Sequence, residues 1–150
     1  MKKFKFKLDA LLRYREYLEH KMKLEVASVV AEIDACKKNI EQLKDDQKKT
    51  TERLSILSET GIDGNELLRY TEYISALDIE TDIRKTELRN LMSKLFKKKK
   101  ELKKKSIDKK VIENLKDLKK EEYTHELNLM IQKESDDMVS IRRAGGQVKS

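Results

Sequence analysis

Proline and tryptophan are absent from this chain of 150 residues, and cysteine occurs only once. Average usage would give roughly 7 prolines, so their absence favours long, uninterrupted helices. Cys36 has no partner for an intrachain disulfide, which fits a reducing cytosol. Aromatic residues make up 5% and apolar residues 37% of the chain, so neither a compact multilayer core nor an enzyme with a closed pocket is expected.

Long apolar runs are missing as well. No run approaches the about 18 apolar residues of a membrane-spanning helix. Near the N-terminus no run reaches the about 7 residues of a signal peptide, because charged residues interrupt the sequence. We therefore expect a cytoplasmic protein without a transmembrane segment, whose contact with a membrane is peripheral.

Charge is abundant and unevenly spread. Charged residues make up 42% of the chain, and the formal net charge is +7. Between residues 94 and 120 there are 13 lysines against 4 acidic residues. Such a segment attracts nucleic acid, an anionic membrane or an acidic protein, and charge alone does not choose between them. Only Phe96 adjoins the lysine block at residues 97–105, whereas base readers and single-strand binders add aromatic or amide side chains, so no specific nucleic acid is predicted.

The glycines divide the chain. Gly61 and Gly64 lie in the only interior cluster of turn-forming residues, where Gly61 would end one helix and Asn65 would cap the next. This predicts a first arm at about residues 4–59, a turn at 60–65, a second arm at about 66–142 and a frayed tail at 143–150. The second arm is the longer one, and a short extra helix near the turn, at about residues 66–79, would account for the surplus.

The first arm has a sustained heptad pattern. Eleven positions from 22 to 57 follow alternating steps of four and three, and nine of them are apolar: Met22, Val26, Val29, Ile33, Cys36, Ile40, Leu43, Gln47, Thr50, Leu54 and Leu57. Such a pattern is typical of a coiled coil. Upstream the apolar phase shifts to Leu11, Tyr14 and Leu18, which predicts a stutter or a short separate helix near residue 20.

The second arm continues the pattern less strictly. Lysines occupy three of its predicted a and d positions, where their aliphatic stems can cover the seam between two helices: Lys98, Lys105 and Lys109. Its apolar positions include Leu67, Tyr70, Ile74, Leu77, Leu88, Leu91, Leu95, Leu102, Ile112, Leu115, Leu118, Tyr123, Leu127, Met130, Met138 and Ile141. The predicted fold is all-α, an antiparallel two-helix coiled-coil hairpin forming a single elongated domain.

Residues that could perform chemistry are few. Cys36 falls on a d position and is interpreted as a small core residue rather than a reactive thiol. His20 and His125 lack partners at metal-ligand spacing. There is no glycine-rich phosphate loop, and the pair Asp136 and Asp137 lacks a calcium loop. We therefore predict no catalytic residue, no cofactor and no metal.

Two stretches of the sequence resemble a known family. Residues 4–16 read FKFKLDALLRYRE and resemble the opening of FliJ-type proteins, roughly F-x-F-[RK]-L-x-x-L-L-x-x-R-E. Residues 115–123 and 132–137 resemble the ending of the family, with Asp137 where glutamate is usual. The resemblance implies an antiparallel coiled coil similar to the γ stalk of F-type ATP synthases, acting in the bacterial flagellar protein-export apparatus.

The resemblance also implies two partners and two sets of contact residues. The ends of the hairpin would bind a hexameric export ATPase through Leu8, Leu11, Leu12, Arg13, Arg15, Tyr123, Gln132, Asp136, Arg142 and Arg143. The region nearer the turn would bind the cytosolic part of the export gate through Gln42, Tyr70, Tyr73, Ile74 and Leu77. Some members also handle export chaperones. Tyr70 and Tyr73 share a helix face, which either packs back on the hairpin or marks a partner site.

Other functions fit the same composition. The equivalent stalk of an injectisome secretion system is one alternative, although Phe4 and Phe6 favour the flagellar system. A basic coiled-coil nucleic-acid-binding protein is another, and a homodimeric coiled coil without an export role is the third.

Overall fold

The computed structural model describes residues 3–148, with side chains up to residue 146. Helix α1 comprises Asp9–Thr60 and helix α2 comprises Gly64–Val148. Within the described residues there is no strand. The two helices pack against each other, which confirms the predicted all-α hairpin. They are antiparallel, because residues with higher numbers in α1 contact residues with lower numbers in α2: Glu25 with Lys98, Cys36 with Arg84 and Asp46 with Tyr73.

The turn between the helices is three residues long. Gly61 follows the last residue of α1 and has a φ of 97°, a left-handed conformation that glycine adopts without steric cost. The amide of Leu67 donates to the carbonyl of Asp63 at 3.0 Å. Asp63 is therefore the N-cap of α2, in place of the predicted Asn65, and aspartate is as effective in that position as asparagine.

Both helices are continuous where the sequence predicted breaks. Helix α1 passes through His20, and α2 includes residues 66–79 without a separate short helix. Helix α2 also continues past the predicted end at residue 142, through Gly145 and Gly146, to Val148. A glycine costs only about 1 kcal/mol relative to alanine within a helix, so it does not stop one by itself. Of the predicted frayed tail, residues 149 and 150 lie outside the described part.

The chain divides into two units, one of residues 20–104 and one that joins the residues up to Glu19 with those from Lys105 onward. In the first, here called the turn unit, all eleven predicted seam positions of α1 are buried or half-buried. Those of α2 follow the same steps of four and three, and they include three polar residues: Thr81, Arg84 and Lys98. The Thr81 hydroxyl donates to the carbonyl of Leu77 at 2.7 Å, and Lys98 pairs with Glu25 at 3.2 Å.

The second unit, here called the end unit, has a more polar seam. Leu12 and Ile112 are buried in it, but so is Glu19, which pairs with Lys109 at 3.0 Å. The hydrogen bond to Glu19 raises the pKa of Lys109, and partial burial opposes that shift. Arg15 donates to the carbonyl of Asp108 at 2.6 Å. These polar residues explain why a stutter was predicted wrongly.

The buried and half-buried positions 12, 15, 19 and 22 of α1 continue the heptad spacing of three and four residues without interruption. Two of these positions hold Arg15 and Glu19, so a search for apolar residues missed them. It selected Tyr14 and its neighbours, and Tyr14 is exposed.

Candidate protein-interaction surfaces

An aromatic groove lies where the chain enters α1 in the end unit. The rings of Phe4 and Tyr123 are 5.6 Å apart between centroids and inclined by 46°. Residues 4–8 precede the first turn of α1 and lie along α2, because the antiparallel hairpin brings them beside Leu115 and Tyr123. The groove has a volume of about 470 Å³ and an apolar floor with charged side chains at its rim. Phe4 and Phe6, which were not among the predicted contact residues, belong to it.

The predicted ATPase contacts in α1 differ in their accessibility. Leu12 is only 5% exposed and packs in the seam, so its side chain stabilises the hairpin and offers little surface to a partner. Arg15 is half-buried and its guanidinium is held by the carbonyl of Asp108. Arg13 is exposed, Leu11 is half-buried and Leu8 borders the aromatic groove. Of the predicted contacts at the start of the first arm, a partner can therefore reach Leu8, Leu11 and Arg13.

The predicted ATPase contacts near the end of α2 lie in a stretch without a partner helix. Every described side chain from residue 128 to residue 146, here called the terminal stretch, is exposed. Phe4 of the first arm contacts Tyr123, which comes before this stretch in α2. The exposure of the stretch leaves four of the predicted residues in the open: Gln132, Asp136, Arg142 and Arg143.

The terminal stretch nevertheless keeps an apolar face. Ile131, Met138 and Ile141 are exposed, and Ile141 is 70% exposed. Their spacing of seven and three places them on one side of the helix, as at the a and d positions of a coiled coil. Contiguous exposed apolar side chains of this kind mark surfaces that bind another protein.

Two of the predicted gate contacts, Gln42 and Tyr73, lie beside Asp46 in the turn unit. The hydroxyl of Tyr73 donates to Oδ2 of Asp46 at 2.7 Å. This hydrogen bond, with smaller contributions from desolvation and from the charge of Asp46, raises the pKa of Tyr73. Gln42 is exposed, one helical turn before Asp46, and lines a shallow groove with it. Tyr70 is half-buried and lines a neighbouring groove with Tyr73.

The other two predicted gate contacts belong to the seam. Ile74 is half-buried and Leu77 is buried. The accessible part of this region is therefore formed by Gln42, Asp46, Tyr70 and Tyr73, here called the tyrosine surface. Asp46 was not predicted as a contact residue; its partner in α2 is 27 positions away, and the alignment of the two helices brings them together.

The arrangement of these surfaces suits protein binding. The grooves are open and shallow, and the described residues contain no group of histidine, cysteine and acidic side chains that could hold a metal ion. Cys36 is buried, and its thiol donates to the carbonyl of Arg84 at 3.4 Å. In the part of the chain that the structure describes, no helix is both long and apolar enough to cross a membrane.

A comparison with protein families gives a match that covers almost the whole sequence. The model of the family described as "Flagellar FliJ protein" matches residues 4–147. No curated protein and no solved structure matches the chain significantly.

Proposed function

The chain belongs to the FliJ family, whose members are non-catalytic components of the flagellar export apparatus, and we propose that it is a stalk that couples the export ATPase to the export gate. The observation that carries this proposal is that the accessible surfaces belong to two different units. The aromatic groove and the terminal stretch lie in the end unit, whereas the tyrosine surface lies in the turn unit. A protein that couples two partners needs two such surfaces and no chemistry of its own.

The export ATPase hexamer is the proposed partner of the end unit. The terminal stretch supports this, because its apolar face has no helix to cover it among the described residues. Burial of an isoleucine side chain contributes about 1.5–3 kcal/mol, so a few such contacts suffice for specific binding. Arg142 and Arg143 add exposed positive charge beside Ile141, which suits an acidic rim on the partner.

The test is stimulation of the export ATPase by this chain, measured with variants that leave the hairpin intact. Ile141→Ser is expected to raise the half-maximal concentration by roughly tenfold, which corresponds to about 1.4 kcal/mol. Ile79→Ser is the matched control, because Ile79 is also an exposed isoleucine of α2 but lies in the turn unit. Equal stimulation by both variants would contradict an ATPase site on the terminal stretch. Leu12 is unsuitable for this test, since its loss would destabilise the hairpin itself.

The cytosolic domain of the export gate is the proposed partner of the tyrosine surface. Tyrosine side chains offer a large contact area and a hydroxyl at little entropic cost, and they are enriched among residues that dominate binding. Tyr73→Ala is expected to weaken gate binding by tenfold or more, whereas Tyr14→Ala in the end unit should not, although Tyr14 is the more exposed of the two. Calorimetric titration of the isolated gate domain measures both. A larger effect of Tyr14→Ala would place the gate contact elsewhere.

Two further parts of the proposal concern the location of the protein in the cell and its binding of chaperones. We propose a cytoplasmic protein that associates peripherally with the export apparatus at the inner membrane, and that also binds export chaperones. Family membership supports both statements. Fractionation of cells with and without the export gate tests the first, since loss of the gate should release the chain from the membrane fraction. Pull-down of export chaperones by the purified chain tests the second.

A further inference from the structure

A cationic face runs along one side of α2 in the turn unit. Its members are spaced by three and four residues, so they share one side of the helix, and all are exposed: Lys85, Arg89, Met92, Phe96, Lys99, Lys100 and Lys103, here called the basic face. The seam residues Leu88, Leu95 and Leu102 each come one position before a member of the basic face, so the basic face lies about 100° around the helix from the seam. The basic face is thus distinct from the seam, and its exposed side chains remain accessible.

No carboxylate interrupts this face. Residues 85–104 contain nine basic and two acidic residues, which gives a local net charge of +7. Glu87 is held by Arg84 at 2.9 Å on the seam side, and Glu101 is on another side of the helix than Lys100. Among the described residues, none of the lysines of the basic face makes an ion pair. Their charge is therefore available to a partner.

Two apolar side chains lie in the middle of the cationic residues. Phe96 is 69% exposed and Met92 is also exposed, although neither contributes to the seam. The ammonium of Lys100 is 6.0 Å from the centroid of the Phe96 ring. An exposed aromatic ring surrounded by lysines is the combination that binds the interface of an anionic bilayer, because the ring enters the headgroup region while the lysines contact the lipid phosphates.

Positive charge also extends to one flank of the basic face. Lys97 and Lys104 are exposed and lie beside Lys100, on the flank of the face away from the seam. A single partner helix would contact the narrow stripe and leave these flanking lysines unused. A flat anionic surface reaches the stripe and this flank together. Single-strand binders use several aromatic platforms for successive bases, and here Phe96 is the only aromatic residue between positions 74 and 122.

We propose that the basic face binds the surface of an anionic lipid bilayer, with the lysines at the phosphates and Phe96 and Met92 in the headgroup region. The contact is mainly electrostatic, so it is reversible and weakens as the salt concentration increases. It concerns a different surface from the ATPase and gate contacts and does not depend on them.

Flotation of the purified full chain with vesicles tests this inference. The vesicles consist of phosphatidylcholine alone or of phosphatidylcholine mixed with phosphatidylglycerol. We expect binding only to the mixed vesicles. Each lysine near such a surface contributes about a fivefold change in partition, so the triple variant Lys99→Gln, Lys100→Gln and Lys103→Gln should lose on the order of a hundredfold. Glutamine is a good helix former, and circular dichroism checks that the hairpin is retained.

Matched variants distinguish the contribution of the basic face to vesicle binding from the effect of the net charge of the chain. The triple variant Lys37→Gln, Lys38→Gln and Lys44→Gln removes the same charge from exposed positions of α1 in the same unit and should bind nearly as the wild type does. Phe96→Ser should weaken binding severalfold at constant charge, whereas Ile79→Ser should not.

Three outcomes would overturn the inference. The first is equal loss in the two triple variants, which would show a nonspecific effect of net charge. The second is undiminished binding by the Lys99, Lys100 and Lys103 variant. The third is tighter binding to a single-stranded oligonucleotide than to the mixed vesicles, which would assign the face to nucleic acid. None of these assays contains the export ATPase, so the proposed stalk function is judged separately.

Discussion

Two isoleucines of α1 provide a quantitative test of the hairpin. Ile33 is 5% exposed and lies in the seam, whereas Ile56 is 64% exposed and lies outside it. Both belong to the turn unit and to the same helix. Substitution by alanine removes three carbons in each case. A difference in the loss of unfolding free energy between the two variants is therefore due to the burial of the side chain and not to the type of substitution.

The expected magnitudes follow from the buried fractions. Three buried carbons contribute about 2.4 kcal/mol, which scales to about 2.3 kcal/mol at Ile33 and about 0.9 kcal/mol at Ile56. The higher helix propensity of alanine offsets about 0.4 kcal/mol in each variant. The net loss of unfolding free energy is then about 1.9 kcal/mol for Ile33→Ala and about 0.5 kcal/mol for Ile56→Ala. The seam is bordered by solvent, so the cavity that Ile33→Ala creates can collapse or hydrate, and the cost stays at the low end for such substitutions.

Urea denaturation followed by far-ultraviolet circular dichroism measures both values, at several protein concentrations. The slopes with urea should agree between variants, because the surface exposed on unfolding hardly changes. A loss at Ile56 as large as that at Ile33 would refute the assignment of the seam. A loss at Ile56 that grew with protein concentration would show that a second copy of the chain covers this residue.

Three further predictions concern polar groups and the single thiol. Because the folded-state pKa of Lys109 is raised, its pairing with Glu19 stabilises the fold at neutral pH, and this contribution should be lost as the pH rises above the ordinary lysine value of 10.5. The loss of unfolding free energy in Glu19→Gln, measured by urea denaturation, should therefore become smaller over that pH range. A loss that stays constant would contradict the pairing. Ultraviolet titration should show the phenol of Tyr73 ionising at higher pH than in Asp46→Asn, and identical curves would exclude their hydrogen bond in solution. Cys36 should react slowly with an aromatic disulfide reagent in the native protein and rapidly in urea, and rapid reaction without denaturant would show that the seam opens around it.

The heptad spacing predicted much of the fold correctly. From Met22 to Leu57 every predicted seam position is buried or half-buried, because spacing alone determines which side of a helix a residue occupies. The same reasoning correctly placed Lys98, Lys105 and Lys109 at half-buried positions of α2, since it followed position rather than hydrophobicity. The assignment of seam positions was wrong where it followed hydrophobicity alone, since it placed Tyr14 in the seam instead of Arg15.

The candidate surfaces were less predictable, because they depend on which residues of two helices face each other. The sequence shows that Tyr70 and Tyr73 share a helix face, but it does not show that Asp46 meets the hydroxyl of Tyr73. Likewise, Leu11 and Leu12 are neighbours of the same type, and only packing against α2 shows that Leu12 is the buried one. The basic face could have been found from spacing, since its members recur at steps of three and four on a side of α2 about 100° from the seam.

The charged residues in the seam of the end unit also determine how the two helices align. Leucines along an apolar seam are interchangeable, so one helix can slide past the other by a heptad at little cost. Here a slide of α2 that put Leu102 opposite Glu19 would take Lys109 away from a carboxylate in a residue that is only 6% exposed, which is unfavourable. The same displacement would separate Arg15 from the carbonyl of Asp108. Glu19 therefore contributes specificity of register, in a seam whose hydrophobic positions alone would tolerate several alignments.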